Sequence, residues 1–260
     1  MQPKKEMILQ VEQLNIKFTS YTKGLHQKTT QAIHGLSAHI EAGEILAVAG
    51  ASGSGKSLLA HALLGILPTN SSVDGLMKYK EQEMTKDRIK QLRGTEIAFI
   101  PQSISCLNPL MKVGTFAGKQ ACGLFSRYGL SKEVEKLYPH ELSGGMARRV
   151  LIACAASTDA DLIIADEPTA GLNEGLAHET MKHLRELADE GRAVLLITHD
   201  LYLASQYVER VTILNEGRTV ETLSITALKA GQWQEKFTEQ LWMSLPENDF
   251  WNNDIKEIGL

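Results

Sequence analysis

The eight residues Gly50-Ala51-Ser52-Gly53-Ser54-Gly55-Lys56-Ser57 constrain this chain more than any other segment. They fit the pattern G-x-x-x-x-G-K-[ST] and lie between an apolar run, Glu44 to Ala49, and an apolar-periodic segment, Leu58 to Leu67. Strand, glycine-rich loop and helix in that order make a cradle for phosphate. Glycines let successive backbone N–H groups converge on a β-phosphate without side chains in the way, and the helix beginning near Lys56 adds its N-terminal dipole. Lys56 is then placed to reach the β- and γ-phosphates, and the Ser57 hydroxyl to ligate Mg2+. Alone, the pattern specifies a nucleoside triphosphate and no more.

A second apolar strand, Leu162-Ile163-Ile164-Ala165, ends in the adjacent carboxylates Asp166 and Glu167. Successive strand side chains point to opposite sides, so the pair can take different tasks. Asp166 suits the Mg2+ shell, and Glu167 is free to face the γ-phosphate and polarise an attacking water.

The surrounding pattern predicts an α/β fold. Strand-like segments at Ile8 to Phe18 and Ile33 to Ile40, separated by a polar stretch from Thr19 to Gln31, read as an antiparallel hairpin with a long solvated turn. Pro68 to Gly75 reads as a breaker cluster, Thr85 to Arg93 as a short polar helix, and Ile97 to Ile100 as a buried strand. Loops and short helices follow to His140. Thereafter helices (Ala147 to Ala156, Glu174 to Glu190, Leu201 to Tyr207) alternate with strands (Leu162 to Ala165, Ala193 to Ile197, Arg210 to Asn215), the signature of a mostly parallel sheet covered on both faces.

Composition narrows the partners. With 27 basic and 31 acidic residues the net charge is −4, so no global positive field exists to hold nucleic acid or anionic lipid. The longest apolar runs fall far below the roughly 20 residues of a bilayer span, and the start of the chain is polar, so the chain is expected to be neither secreted nor self-inserting. Cys106, Cys122 and Cys154 fit neither a disulfide framework nor a zinc site. A reducing compartment is the simple reading.

Four ordered motifs together resemble the ABC transporter ATPase family. To the phosphate loop and the acidic pair are added Leu142-Ser143-Gly144-Gly145-Met146, similar to the family's signature and 24 residues before Asp166; Gln102, similar to its Q-loop glutamine; and His199, similar to its switch histidine. The resemblance covers roughly residues 8 to 225. It implies a P-loop NTPase core with a mostly parallel sheet, an N-terminal antiparallel β subdomain and a helical signature subdomain. The domain organisation expected is an ATPase domain over 1–230, with the helical subdomain inserted at about 103–157, and a tail over 231–260.

The same resemblance assigns roles. Residues Gly50 to Leu58 bind the phosphates of ATP, with Ser57, Gln102 and Asp166 around Mg2+. Glu167, with Gln102 and His199, carries catalysis. Ser143, Gly144 and Gly145 form a second anion cradle for ATP held by a facing subunit, so hydrolysis requires a pair of cassettes. An aromatic ring near the end of the first strand stacks on adenine; Phe18 fits best, with Tyr21 as rival. In Ala170-Gly171-Leu172-Asn173 the last residue replaces a carboxylate that helps join the two sites, so Asn173 can hydrogen-bond but carries no charge.

Finer features resemble the importers of oligopeptides, dipeptides and nickel. These are Ser105 to Pro109 with Val113-Gly114, Tyr138-Pro139-His140-Glu141, and the tail Leu241 to Phe250, which is similar to nickel- and metallophore-type members. The implied assembly is a second ATPase subunit, identical or homologous, two transmembrane permease subunits and, indirectly, an extracytoplasmic solute-binding protein, on the cytoplasmic face of the membrane. The interval from Gln102 to Leu142 is 40 residues, short for that branch, and no cysteine follows Cys154 to hold an iron–sulfur cluster. Trp233, Trp242 and Trp251 are expected to pack the tail onto the body, and His26, His34, His39, His61, His178 and His183 to lie on solvated surface. A regulatory ATPase subunit of a heterodimer and a non-transport ABC ATPase are the alternatives.

Overall fold

The computed structural model describes residues 5–21, 26–103 and 107–248. Its strands are β1 (Met7–Tyr21), β2 (Gln27–Glu41), β3 (Ile45–Gly50), β4 (Ser71–Tyr79), β5 (Gln82–Glu83), β6 (Ile97–Ile100), β7 (Leu162–Asp166), β8 (Ala193–Thr198), β9 (Arg210–Asn215) and β10 (Arg218–Ser224). Its α-helices are α1 (Lys56–Leu63), α2 (Lys86–Leu92), α3 (Val113–Gly123), α4 (Gly144–Ala156), α5 (Glu174–Asp189), α6 (Leu201–Ala204), α7 (Ile225–Lys229) and α8 (Lys236–Met243).

Two sheets result. The first is antiparallel, ordered β2-β1-β4-β5; the second, ordered β10-β9-β3-β8-β7-β6, is parallel from β9 to β6 and closed at one edge by the antiparallel β10. Strand alternation feeds two cores. Ile45, Ala47 and Ala49 of β3 face one, with α4, α5 and the helical segment; Leu46 and Val48 face the other, with α1 and the antiparallel sheet. A sheet buried on both faces cannot alternate apolar with polar residues, which explains the unbroken apolar runs of β3, β7 and β8.

Several expectations need correction. The stretch from Thr19 to Gln31, expected as a solvated turn, is largely strand: Thr19 pairs with Thr29, Ser20 with Lys28 and Tyr21 with Gln27. Ladder hydrogen bonds outweigh the polarity of the side chains there. The breaker cluster yields at Ser71, because β1 offers an edge that pairs Phe18 with Ser71 and Ile16 with Val73. Strand β10 was not expected at all; Thr, Glu and Arg dominate it, and its partner β9 supplies the order. Helix α1 stops at Leu63, not Leu67, and α6 at Ala204, not Tyr207.

His183 is also corrected. It lies on the face of α5 that carries Thr180, Leu184 and Leu187, and it is buried edge-on against Tyr128 with ring centroids 4.8 Å apart. In the tail, Trp242 is buried and Trp233 is packed against the same core. Ser105, Cys106, Trp251 and the tail beyond Asn248 lie outside the described residues.

One residue fastens the two sheets to the phosphate loop. In the β9–β10 turn, Gly217 N–H donates to the Ser54 carbonyl at 3.1 Å, while its own carbonyl accepts from His34 of β2 at 2.7 Å. A Cβ at Gly217 would stand 2.1 Å from the Ala32 carbonyl oxygen, so only glycine fits. Among the described residues no helix is long and apolar enough to cross a membrane.

Candidate active site

Because β3, β6, β7 and β8 run parallel, their carboxyl ends share one edge of the sheet, where open α/β sheets place their ligands. The phosphate loop follows β3, Gln102 follows β6, Asp166 closes β7 with Glu167 next, and His199 follows β8. A cleft of about 790 Å3 opens there, lined by Gly50, Ala51, Ser52, Gly53, Gly55, Lys56, Ser57, Leu58, Gln102, Glu167, His199 and Leu241. Sequence-predicted residues from four separate segments thus meet in one cavity.

The loop is built for close approach. A Cβ at Gly50 would lie 2.0 Å from the Leu214 carbonyl oxygen, and Gly55, at φ 93°, N-caps α1 in a conformation that L side chains rarely adopt. Lys56 is buried, and its ammonium donates to the carbonyls of Gly50 at 2.9 Å and Ala51 at 3.0 Å. Burial pushes its pKa down, and the nearby Glu167 and Asp166 carboxylates push it back up. The Ser54 hydroxyl is buried beneath the loop without a hydrogen-bond partner.

The carboxylates take separate environments, as strand alternation requires. Asp166 is buried and accepts from the Ser57 hydroxyl at 3.0 Å; burial raises its pKa, with the Ser57 bond opposing. Glu167 is buried with φ 48°, a left-handed backbone that costs about 1–3 kcal/mol in a non-glycine residue and marks functional sites. Its N–H is tied to the Ile197 carbonyl at 2.8 Å, and its Oε2 lies 2.6 Å from His199 Nδ1. With Glu167 as a carboxylate, which can only accept, the tautomer that satisfies this contact is the one with the proton on Nδ1. The His199 side chain is 63% exposed against 10% for Glu167.

Other expected residues lie elsewhere. Ser143 N-caps α4, its hydroxyl accepting from Met146 N–H at 3.2 Å; Ser143 and Gly144 are exposed, whereas Gly145 is packed so that a Cβ would meet Leu176 at 3.0 Å. None of the three lines this chain's own cleft. Phe18 does not line it either; it is half-buried against the core of the antiparallel sheet, while Tyr21 is exposed. Asn173 N-caps α5, its Oδ1 accepting from Leu176 N–H at 3.0 Å.

Two residues were given no site role from the sequence. Arg148 of α4 is buried and donates to the carbonyls of Pro101 at 2.7 Å and Gln102 at 2.9 Å, pinning the segment that carries Gln102 to the helix that begins at Ser143. Leu241, from the far end of the chain, enters the cleft on α8. The spacing of neither residue signals this, since an arginine on a helix usually reads as solvated.

The family model described as ABC transporter matches residues 33–170. A probable peptide ABC transporter ATP-binding protein of Sinorhizobium fredii is 34% identical over 269 residues, covering 94% of this chain and 78% of that protein. An oligopeptide transport ATP-binding protein of Lactococcus lactis subsp. cremoris is 32% identical, covering 97% of this chain and 80% of its own length. Among solved structures, one from Clostridium perfringens, part of an ABC transporter complex, superposes at TM-score 0.72 with 26% identity over 96% of this chain and 100% of that one. A dimeric post-hydrolysis state of an ATP-binding cassette bound to ADP and Pi superposes at TM-score 0.71 with 24% identity, covering 84% and 99% respectively.

Proposed function

Since the chain belongs to the ABC transporter family, as an ATP-binding subunit of the peptide-importer branch whose ATPase activity is coupled to transport, we propose that it energises uptake of an oligopeptide through a separate permease. Nickel or another metal chelate is the second cargo reading, and it rests on the tail resemblance alone. Two cassettes, identical or homologous, sit on two transmembrane permease subunits at the cytoplasmic face of the membrane. An extracytoplasmic solute-binding protein delivers the cargo, and nucleic acid plays no part. Residues 1–230 act as the ATPase domain, with a helical subdomain at about 103–157 that meets the permease and a tail over 231–260.

ATP enters with its phosphates along Gly50 to Leu58 and its adenine against Phe18. As the phosphates arrive, Lys56 exchanges the Gly50 and Ala51 carbonyls for the β- and γ-phosphate oxygens. The Ser57 hydroxyl and the Asp166 carboxylate, already 3.0 Å apart, are hard oxygen donors that suit Mg2+, with Gln102 nearby on the same cleft. Such an ion supplies charge neutralisation to the phosphates. Glu167 accepts the proton of a water whose oxygen attacks the γ-phosphorus, ADP leaves with the bonding pair, and His199 holds Glu167 in orientation throughout. Ser143 and Gly144, exposed at the start of α4, cap the γ-phosphate on the facing cassette.

The observation that carries this reading is the Glu167–His199 contact across the cleft from Lys56. In the assembled transporter, Glu167→Gln should lower phosphate release by about 10²–10⁴-fold, the contribution of a general base, while ATP binding persists. Turnover at the parent rate would remove Glu167 as the base. Uptake of a labelled oligopeptide against a labelled nickel chelate in proteoliposomes decides the cargo.

A further inference from the structure

Among the described residues, every one that lines the cleft but one comes from the phosphate loop and α1 or from the end of a parallel strand. The exception is Leu241, from the helix nearest the described end of the chain. We propose that Leu241 is a positioning residue of the hydrolysis site: α8 walls the cleft with an apolar side chain and limits the water around the Glu167–His199 pair. This rests on the ATPase reading of the cleft.

The placement of α8 is built, not incidental. Thr238 is fully buried and Trp242, one helical turn on, is also buried, so these two define the face that locks the helix to the body. Leu241 stands on the adjoining face, half-buried and turned to the cleft. The entry to α8 is held by Glu221 of β10, whose carboxylate accepts from Gln234 N–H at 2.9 Å and from Glu235 N–H at 3.4 Å. Strand β10 pairs with β9, which pairs with β3, the strand that delivers the phosphate loop. One ladder therefore sets both the loop and the helix that faces it.

An apolar side chain has no affinity for phosphate, so its use among polar groups must be different. A carboxylate that takes a proton from one water works best when other waters are kept away, because each interaction inside the site strengthens as water leaves. Glu167 is already buried, but His199 is open to solvent, and Leu241 adds an apolar wall to the cleft that holds both.

The test uses the full chain in the assembled transporter, with ATP as probe and phosphate release as readout, in a preparation where the parent hydrolyses ATP and Glu167→Gln does not. A preparation that fails this entry condition counts against the ATPase reading, not against Leu241. Leu241→Ala should lower kcat about tenfold with KM for ATP changed less than twofold, a split that loss of fold would not give. Leu241→Met, of similar volume, should restore parent values. Leu245→Ala, a matched truncation in the same tail that packs on the same core without lining the cleft, should leave kcat and KM unchanged. Parent-like kcat in folded Leu241→Ala, or an equal loss in Leu245→Ala, would overturn the proposal.

Discussion

At the scale of single residues the site trades stability for readiness. Burial holds the Asp166 pKa above the ordinary carboxylate value, so the ligand-free fold benefits from its neutral form at low pH and loses that benefit as pH rises through the folded-state value. Asp166→Asn keeps the Ser57 partner and removes the buried charge. It should therefore raise stability without nucleotide by roughly 1 kcal/mol near pH 7, an advantage that fades toward pH 4, while weakening Mg2+-dependent ATP binding. Denaturant melts across that pH range check the sign. Gly55→Ala should act oppositely, destabilising by about 1–3 kcal/mol, because φ 93° is strained for alanine and the new Cβ would stand 2.4 Å from Ile33 Cδ1. Several of these residues were candidates from the sequence: Lys56 and Ser57 by the phosphate-loop pattern, Asp166 and Glu167 by their place at a strand end, and His199 only through its resemblance to the family's switch histidine. The left-handed backbone of Glu167 was not legible, for it is imposed by the bond from its N–H to the Ile197 carbonyl on the neighbouring strand.

At the scale of elements, helix starts and their side-chain caps govern what the site can sense. Asn173→Ala removes the cap of α5 and should cost about 0.5–2 kcal/mol, whereas Asn173→Asp retains an acceptor and adds a charge near the helix's positive end. If Asn173 weakens one ATP site, Asn173→Asp should raise turnover of the assembled complex at little cost in stability; unchanged turnover would remove the case for a regulatory subunit. Arg148 ties α4 to the backbone at Pro101 and Gln102, so Arg148→Met should cost about 1.5–3 kcal/mol and lower permease-stimulated turnover more than ATP binding. Buried parallel strands were read from sequence almost to the residue because their apolar runs are unmistakable, as in Ile97–Ile100. Strands β4 and β10 escaped because Ser, Asp, Gly and Thr carry no such signal, and only the edge they pair with makes them strands. The burial of His183 was recoverable, since positions 180, 184 and 187 mark the stripe it shares.

For the whole molecule, the start of α4 and His199 are both exposed, and the proposed pairing would bring them to a facing cassette. On the proposed pairing, Ser143→Arg should leave nucleotide binding to a single cassette within about twofold and reduce hydrolysis by the assembled pair at least about tenfold, because its bulk would stand where the proposal puts the facing γ-phosphate. Equilibrium binding and phosphate release, measured on the same preparation, separate the two effects. Pairing entered the sequence reading only through the family resemblance, since it depends on a second molecule, and the wall proposed for α8 lay beyond local pattern because it depends on where distant segments meet. Gly217 adds a constraint of another sort. The N–H and carbonyl of this one residue bridge the phosphate loop and the antiparallel sheet. Loop and sheet are thus geared together, and neither can shift without pulling on the other.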